Sequence, residues 1–214
     1  YTVDGKVVVL TAWGSLRSWI CSGHLHEHPE IDLTNMLESL SGLPLDVAFM
    51  SFDDVLEHGI PSDTKVIINA GWQGSAWSGG DYWKNGELVA KLTQFVAEGG
   101  GFIVDRDLGS KKCIGKYQYT VEEDNFVMED TKAIGNSMKV VEGIYVLNKD
   151  VKVLAEKDGT PVITLNHFGK GCAMYLSSFR FSLEATRFLM RAICEVSQNT
   201  DAMKLYVCDN LNTE

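Results

Sequence analysis

The chain has 214 residues, 45% of them hydrophobic and 22% charged, and a formal net charge of -10. That length supports one full-sized domain with a proper core, or a domain with an appendage. A nucleic-acid binder needs a basic stripe, which this acidic chain lacks, and no apolar run approaches the roughly 18 residues of a membrane span. The start, YTVDGKVVV, has no basic n-region and no cleavage site, so no signal peptide is visible. Tyr1 is not an initiator methionine, which leaves open a targeting segment ahead of it. The five cysteines, Cys21, Cys113, Cys172, Cys194 and Cys208, are odd in number and form no CxxC. Neither a zinc knuckle nor a disulfide framework is indicated, and a reducing cytoplasm is the expected compartment.

The elements alternate. Residues 6–11 form a β-branched run expected to be a buried parallel strand. Residues 34–41, opened by Thr34 and stopped by Gly42, predict a helix. Strand DVAFMS follows at 46–51, then a helical turn at 52–58 and strand KVIINA at 65–70. Residues 86–98 place Leu88, Val89, Leu92, Phe95 and Val96 on one helical face. Gly99-Gly100-Gly101 ends that helix, and Phe102-Ile103-Val104 is a fourth strand. Such alternation argues for an open, parallel, doubly wound α/β sheet.

The second half reads differently. Pieces around 117–121, 126–128, 143–147 and 151–155 are short and β-like. Val162–Leu165 and Cys172–Leu176 read as a hairpin around a long loop, His167–Gly171. Ser182–Val196 is a helix with Ser182 as N-cap and an apolar stripe of Leu183, Phe188, Leu189, Ile193 and Val196. No helix is visible between Val104 and residue 117, where a doubly wound fold would place a crossover. That gap, and a chain ending in LYVCDNLNTE, suggest part of a larger polypeptide. The division expected is an α/β domain over 1–200 and, over 201–214, the start of a link to a C-terminal β domain.

Two aromatic, glycine-rich loops follow strands: AWGSLRSW at 12–19 and AGWQGSAWSGG at 70–80. Loops at the carboxyl ends of parallel strands line the ligand crevice of such sheets. Tryptophan stacks on sugar rings, glycine admits a ligand to the backbone, and arginine grips an anion bidentately. Candidate binding residues are therefore Trp13, Gly14, Arg17, Ser18, Trp19, Ser75, Trp77 and Ser78. The tryptophans could equally be core or interface residues. Arg17 suits either an anion or a structural cation–π contact.

Other groups are weaker. His24, His26 and His28 alternate as metal ligands would in a strand, but Gly23 and Pro29 favour a loop. Asp53-Asp54 and Asp105-Arg106-Asp107 offer carboxylates near strand ends, with Asp53 simpler as a cap. Ser75 and Ser78 do not fit the G-x-S-x-G elbow, and neither G-x-G-x-x-G nor a P-loop occurs. No catalytic residue, metal or cofactor is assigned.

AWGSLRSW, DVAFMSFDDVLEHGIPSD, VIINAG with SAWSGGDYW, GGGFI, and VLAEKDGTPVITLNHFGKGCAMYLSSFRFSLEATRFL together resemble the middle domain of the lacto-N-biose/galacto-N-biose phosphorylase family. The resemblance covers about residues 5–214 and rests on the motifs as a set. It implies a flavodoxin-like, class I glutamine-amidotransferase-like fold inside a bacterial, cytoplasmic enzyme. Such an enzyme splits galactosyl-N-acetylhexosamine or galactosyl-rhamnose with inorganic phosphate, giving α-galactose 1-phosphate with inversion. The implied partners are a TIM-barrel domain carrying the catalytic acid and a C-terminal β domain; separately, exposed aromatics would suit a homodimer. Nothing here matches the barrel, so the general acid falls on no residue of this chain. The family has a further stretch after the GGGFI strand that this chain lacks. A stand-alone amidotransferase-like binding module without activity is the alternative. A true amidotransferase or peptidase would need a cysteine elbow with a histidine partner.

Overall fold

In the computed structural model the first apolar run is strand β1 (Lys6–Thr11), with its four central residues buried. The structure describes residues 4–12, 32–71, 78–105, 117–122, 125–130, 151–157, 159–177 and 179–199. β1 has a parallel neighbour on each side, β2 (Asp46–Ser51) and β3 (Thr64–Asn69). β4 (Gly101–Asp105) joins β3 and β9 (Gly171–Leu176) joins β4, both parallel. β8 (Thr160–Phe168) and β7 (Lys152–Lys157) then extend the sheet antiparallel. The order is β2-β1-β3-β4-β9-β8-β7. β5 (Tyr117–Glu122) and β6 (Asn125–Asp130) pair separately as an antiparallel ribbon.

The α/β expectation holds, with the parallel part confined to five strands and the other four split between an antiparallel edge, β8 and β7, and the separate β5–β6 ribbon. β1, β3 and β4 read as continuous apolar runs because helices cover both faces of the sheet. On one face lie α1 (Asp32–Ser41) and α4 (Leu183–Val196), packing Met36, Leu40, Leu189 and Ile193 against Val7, Val9, Ile68 and Ile103. On the other lie α2 (Phe52–His58) and α3 (Gly86–Ala97), packing Phe52, Val55, Leu88 and Leu92 against Val8, Ile67 and Phe102. Each such fully buried side chain contributes roughly 1.5–3 kcal/mol relative to exposure.

Several boundaries differ from the sequence reading. α1 begins two residues before Thr34, which lies inside its first turn rather than capping it. The β8–β9 hairpin turns on Gly169 and Lys170 alone, because Gly169 takes φ 59, leaving His167 in the strand. Leu183 is 72% exposed and does not belong to the buried stripe of α4, whereas Leu189, Ile193 and Val196 do. Ser182 caps α4 as expected, accepting from the Ala185 N–H at 3.0 Å.

β2 passes into α2 with no intervening loop. Ser51 Oγ accepts from the Asp54 N–H at 3.0 Å, and the Asp54 carboxylate accepts from the Ser51 N–H at 2.8 Å. This reciprocal pair is a capping box, with Asp54 rather than Asp53 in it. The backbone bond from Ser51, then its hydroxyl, hold the Asp54 carboxyl below its ordinary 3.8. A depressed carboxyl adds stability above its unfolded pKa and loses it as pH falls through the folded one. Asp54→Asn should therefore cost up to about 1 kcal/mol at neutral pH, with the gap to the parent closing as pH falls below the carboxyl's ordinary 3.8. Urea denaturation of both proteins at several pH values checks this; a gap independent of pH would refute it.

Candidate functional site

α1 follows β1 on one face of the sheet and α3 follows β3 on the other, so the order of strands reverses between β1 and β3. In an open α/β sheet that switch point is where the carboxyl ends part to form a crevice. Because β1 and β3 are parallel, the chain leaves both at the same edge, at Ala12 and at Ala70. These are the two aromatic loops marked by sequence. Trp13, Gly14, Arg17, Ser18, Trp19, Ser75 and Trp77 lie outside the described residues, as do His24, His26, His28, Arg106 and Asp107. The β-like piece at 143–147 and the link at 201–214 lie outside them too.

Ser78 is described and buried, and its hydroxyl donates to the Ala70 carbonyl at 2.5 Å. That bond closes the root of the second loop. A 3-10 helix at Gly80–Lys84 anchors its far side. The Trp83 indole N–H donates to the Ser78 carbonyl at 2.7 Å. Its ring meets Phe52 edge-on at 5.6 Å and Phe102 at 6.4 Å between centroids. Tyr82 stacks on Phe52 at 5.2 Å, and its hydroxyl donates to the Asp53 carboxylate at 2.7 Å. That bond, helped by burial, raises the Tyr82 phenol above its ordinary value. Asp53 thus tethers the loop's exit. Gly79, at φ 114, leaves the space that the Trp83 ring occupies.

Sequence reasoning missed Asn69. It is the last residue of β3, fully buried, and neither Oδ1 nor Nδ2 has a hydrogen-bond partner. A buried polar group left unpaired costs about 1–3 kcal/mol. The signal available was an amide closing the apolar run Val66–Ile68 at the carboxyl end of β3. Asp105, also fully buried, ends the neighbouring β4.

The opposite edge of the sheet holds a cleft of about 530 Å³ among Ile60, Pro61, Lys65, Lys91, Phe95 and Glu98. Its Lys91 ammonium is already committed, to the Leu56 carbonyl at 2.5 Å and to Glu87 at 2.9 Å. Among the described residues, none of the candidate binding residues lines this cleft.

Cys172 and Cys194 are buried thiols, as expected. Cys172 Sγ lies 3.0 Å from His167 Nδ1. Burial, and secondarily the Glu195 carboxylate, push the Cys172 thiol up, the wrong direction for a nucleophile. The pair also sits at the amino end of β9, away from the crevice. Among the described residues no cluster of three His, Cys, Asp or Glu could hold a metal ion. No helix there is long and apolar enough to cross a membrane.

The lacto-N-biose phosphorylase central-domain model matches residues 6–103 and 104–201. The chain belongs to that family. It is 39% identical over 210 residues to the D-galactosyl-β-1→4-L-rhamnose phosphorylase of Lachnoclostridium phytofermentans, covering 88% of this chain and 28% of that protein. It is 33% identical to a 1,3-β-galactosyl-N-acetylhexosamine phosphorylase of the same organism, over 98% of this chain and 32% of that protein. The corresponding enzyme of Bifidobacterium longum subsp. longum is 29% identical over 98% of this chain and 35% of its own length. The central domain thus spans about a third of the curated relatives it matches. Two of those alignments run over 238 and 266 positions, more than the 214 of this chain, so those relatives carry residues with no counterpart here. The family match is itself divided between Ile103 and Val104, inside β4.

Proposed function

We propose that this central domain serves an inverting β-galactoside phosphorylase as a non-catalytic cover, its 12–19 and 71–83 loops closing over the sugar site of a catalytic barrel. The observation that carries the reading is the departure of both loops from adjacent parallel strands, at one edge and at the switch point. Phe181 and Leu183, 41% and 72% exposed, lie on the chain between the carboxyl end of β9 and the first turn of α4, at that same edge. They supply apolar area for another domain to cover.

The reaction breaks the bond from galactose C1 to the acceptor oxygen and forms one from C1 to a phosphate oxygen. A general acid outside this chain protonates the departing oxygen. Phosphate replaces water as the attacking group, so the site must exclude water, which a domain laid over the barrel mouth would do. Arg17 is the residue here suited to a phosphate or a sugar hydroxyl.

The full-length gene product should release galactose 1-phosphate from galactosyl-N-acetylhexosamine or galactosyl-rhamnose only when phosphate is present, and the 214-residue chain alone should release none. Arg17→Ala in the full-length protein should raise the KM for phosphate or galactoside at least about tenfold, the loss of one charge-assisted contact. Unchanged kinetics would sink the loop assignment, and activity in the isolated chain would sink the non-catalytic reading.

A further inference from the structure

Asn69 stands apart from every other described group at the crevice edge. Strand alternation puts it on the α2–α3 face with Ile67, and Val104 of β4 is its register partner. It is fully buried at the root of the loop that Ser78 and Ala70 pinch shut. Both amide atoms are unpartnered. Two other described side chains share that state, the Thr64 and Thr93 hydroxyls. Thr64 opens β3 at the far edge and Thr93 sits within α3, so neither faces the crevice. A side chain needed only for packing at position 69 would be better apolar, as Val66, Ile67 and Ile68 before it are.

We propose that Asn69 is a specificity-determining contact for the sugar in this crevice, an inference resting on the function proposed above. An amide offers an acceptor and a donor at fixed separation. Two adjacent hydroxyls of a pyranose match it, one donating to Oδ1 and the other accepting from Nδ2. Turning the amide toward the crevice breaks no hydrogen bond, since it holds none, and its terminal torsion is soft. Inorganic phosphate is an anion at neutral pH and draws its affinity from cationic donors, a charge that a neutral amide does not supply. The amide therefore selects for the neutral polyol.

Asn69→Leu is close in size and cannot hydrogen-bond; Asn69→Ser keeps one hydroxyl and fits wherever Asn does. Both are made in the full-length gene product, and Tm, the KM for galactoside and for phosphate, and the thermal shift induced by free galactose are measured. The expected result is a Tm equal to or above the parent's, a galactoside KM raised tenfold or more in Asn69→Leu and less in Asn69→Ser, and a phosphate KM within twofold. A fall in Tm with both KM values unchanged makes the amide structural and overturns the proposal, as does an unchanged galactoside KM at any Tm. Should the parent split none of the galactosides, the phosphorylase reading fails by itself. Asn69 is then judged on the galactose shift, which supports the proposal if present in the parent and lost in Asn69→Leu, and overturns it if absent from the parent or retained in the variant.

Discussion

Gly171→Ala is expected to destabilise the domain by about 3 kcal/mol or more, lowering Tm by roughly 6–12 °C in a thermal melt. β9 starts at Gly171, beneath the end of α3, where a Cβ would run into the carbonyl oxygens of Val96 and Gly100. Both obstacles are backbone, so no rotamer change relieves the clash. They are also fixed in place: the Lys170 N–H donates to Ala97 at 2.9 Å, and the Gly99 N–H to Val96 at 3.0 Å. Next to it, a Cβ on Gly101 would come within 2.8 Å of the Val196 carbonyl carbon, at the end of α4. Gly101, Gly169 and Gly171 thus let two helix ends and a hairpin meet at backbone contact. Gly86→Ala is the control. It opens α3 with nothing within 4 Å of the added Cβ and no positive φ, so it should be neutral or gain up to about 1 kcal/mol. Equal melts for the two variants would refute the packing argument.

That contrast marks what the sequence could and could not disclose. The glycines at 99–101 were legible as a helix stop, but the second task of Gly101, admitting Val196, depends on a helix end some ninety-five residues away. Strands β1, β3 and β4 were legible because burial on both faces demands unbroken apolar runs. The antiparallel β8–β7 edge was not, since Pro161 and Lys152 say nothing of which strand they will pair with. The hairpin turn read too long because His167 is polar, yet it stands exposed in β8, where a polar residue is at home.

The same division runs through the candidate site. Placing two aromatic loops at strand ends needed only the alternation of elements. That the chain enters both from one edge of the sheet needed the strand order, which follows from the parallel β1–β3 pairing. Ser78 shows the limit of composition: a hydroxyl in a glycine-rich loop suggests a ligand contact, and here it holds Ala70. Asn69 shows the converse. In KVIINA it reads as the polar tail of a strand, because whether an amide finds a partner is decided by what folds opposite it.

Phe52→Ala joins fold to site and should cost about 3–5 kcal/mol, the usual range for emptying a buried aromatic position. Phe52 is 1% exposed, sits directly after the end of β2, and packs on both Tyr82 and Trp83. Its loss leaves a cavity under the 3-10 helix and removes the surface on which those rings rest. Trp83 then holds Ser78 less firmly, and the bond from Ser78 to Ala70 that closes the second loop weakens with it. A functional defect should therefore accompany the lower Tm: in the full-length protein, the galactoside KM should rise at temperatures well below the new melting point. Phe52→Leu, which refills most of the volume without a ring to stack, should recover more of the stability than of the KM. Were the two properties to recover in step, Phe52 would act on the site only through global stability, and the aromatic clamp would have no separate part in shaping the loop.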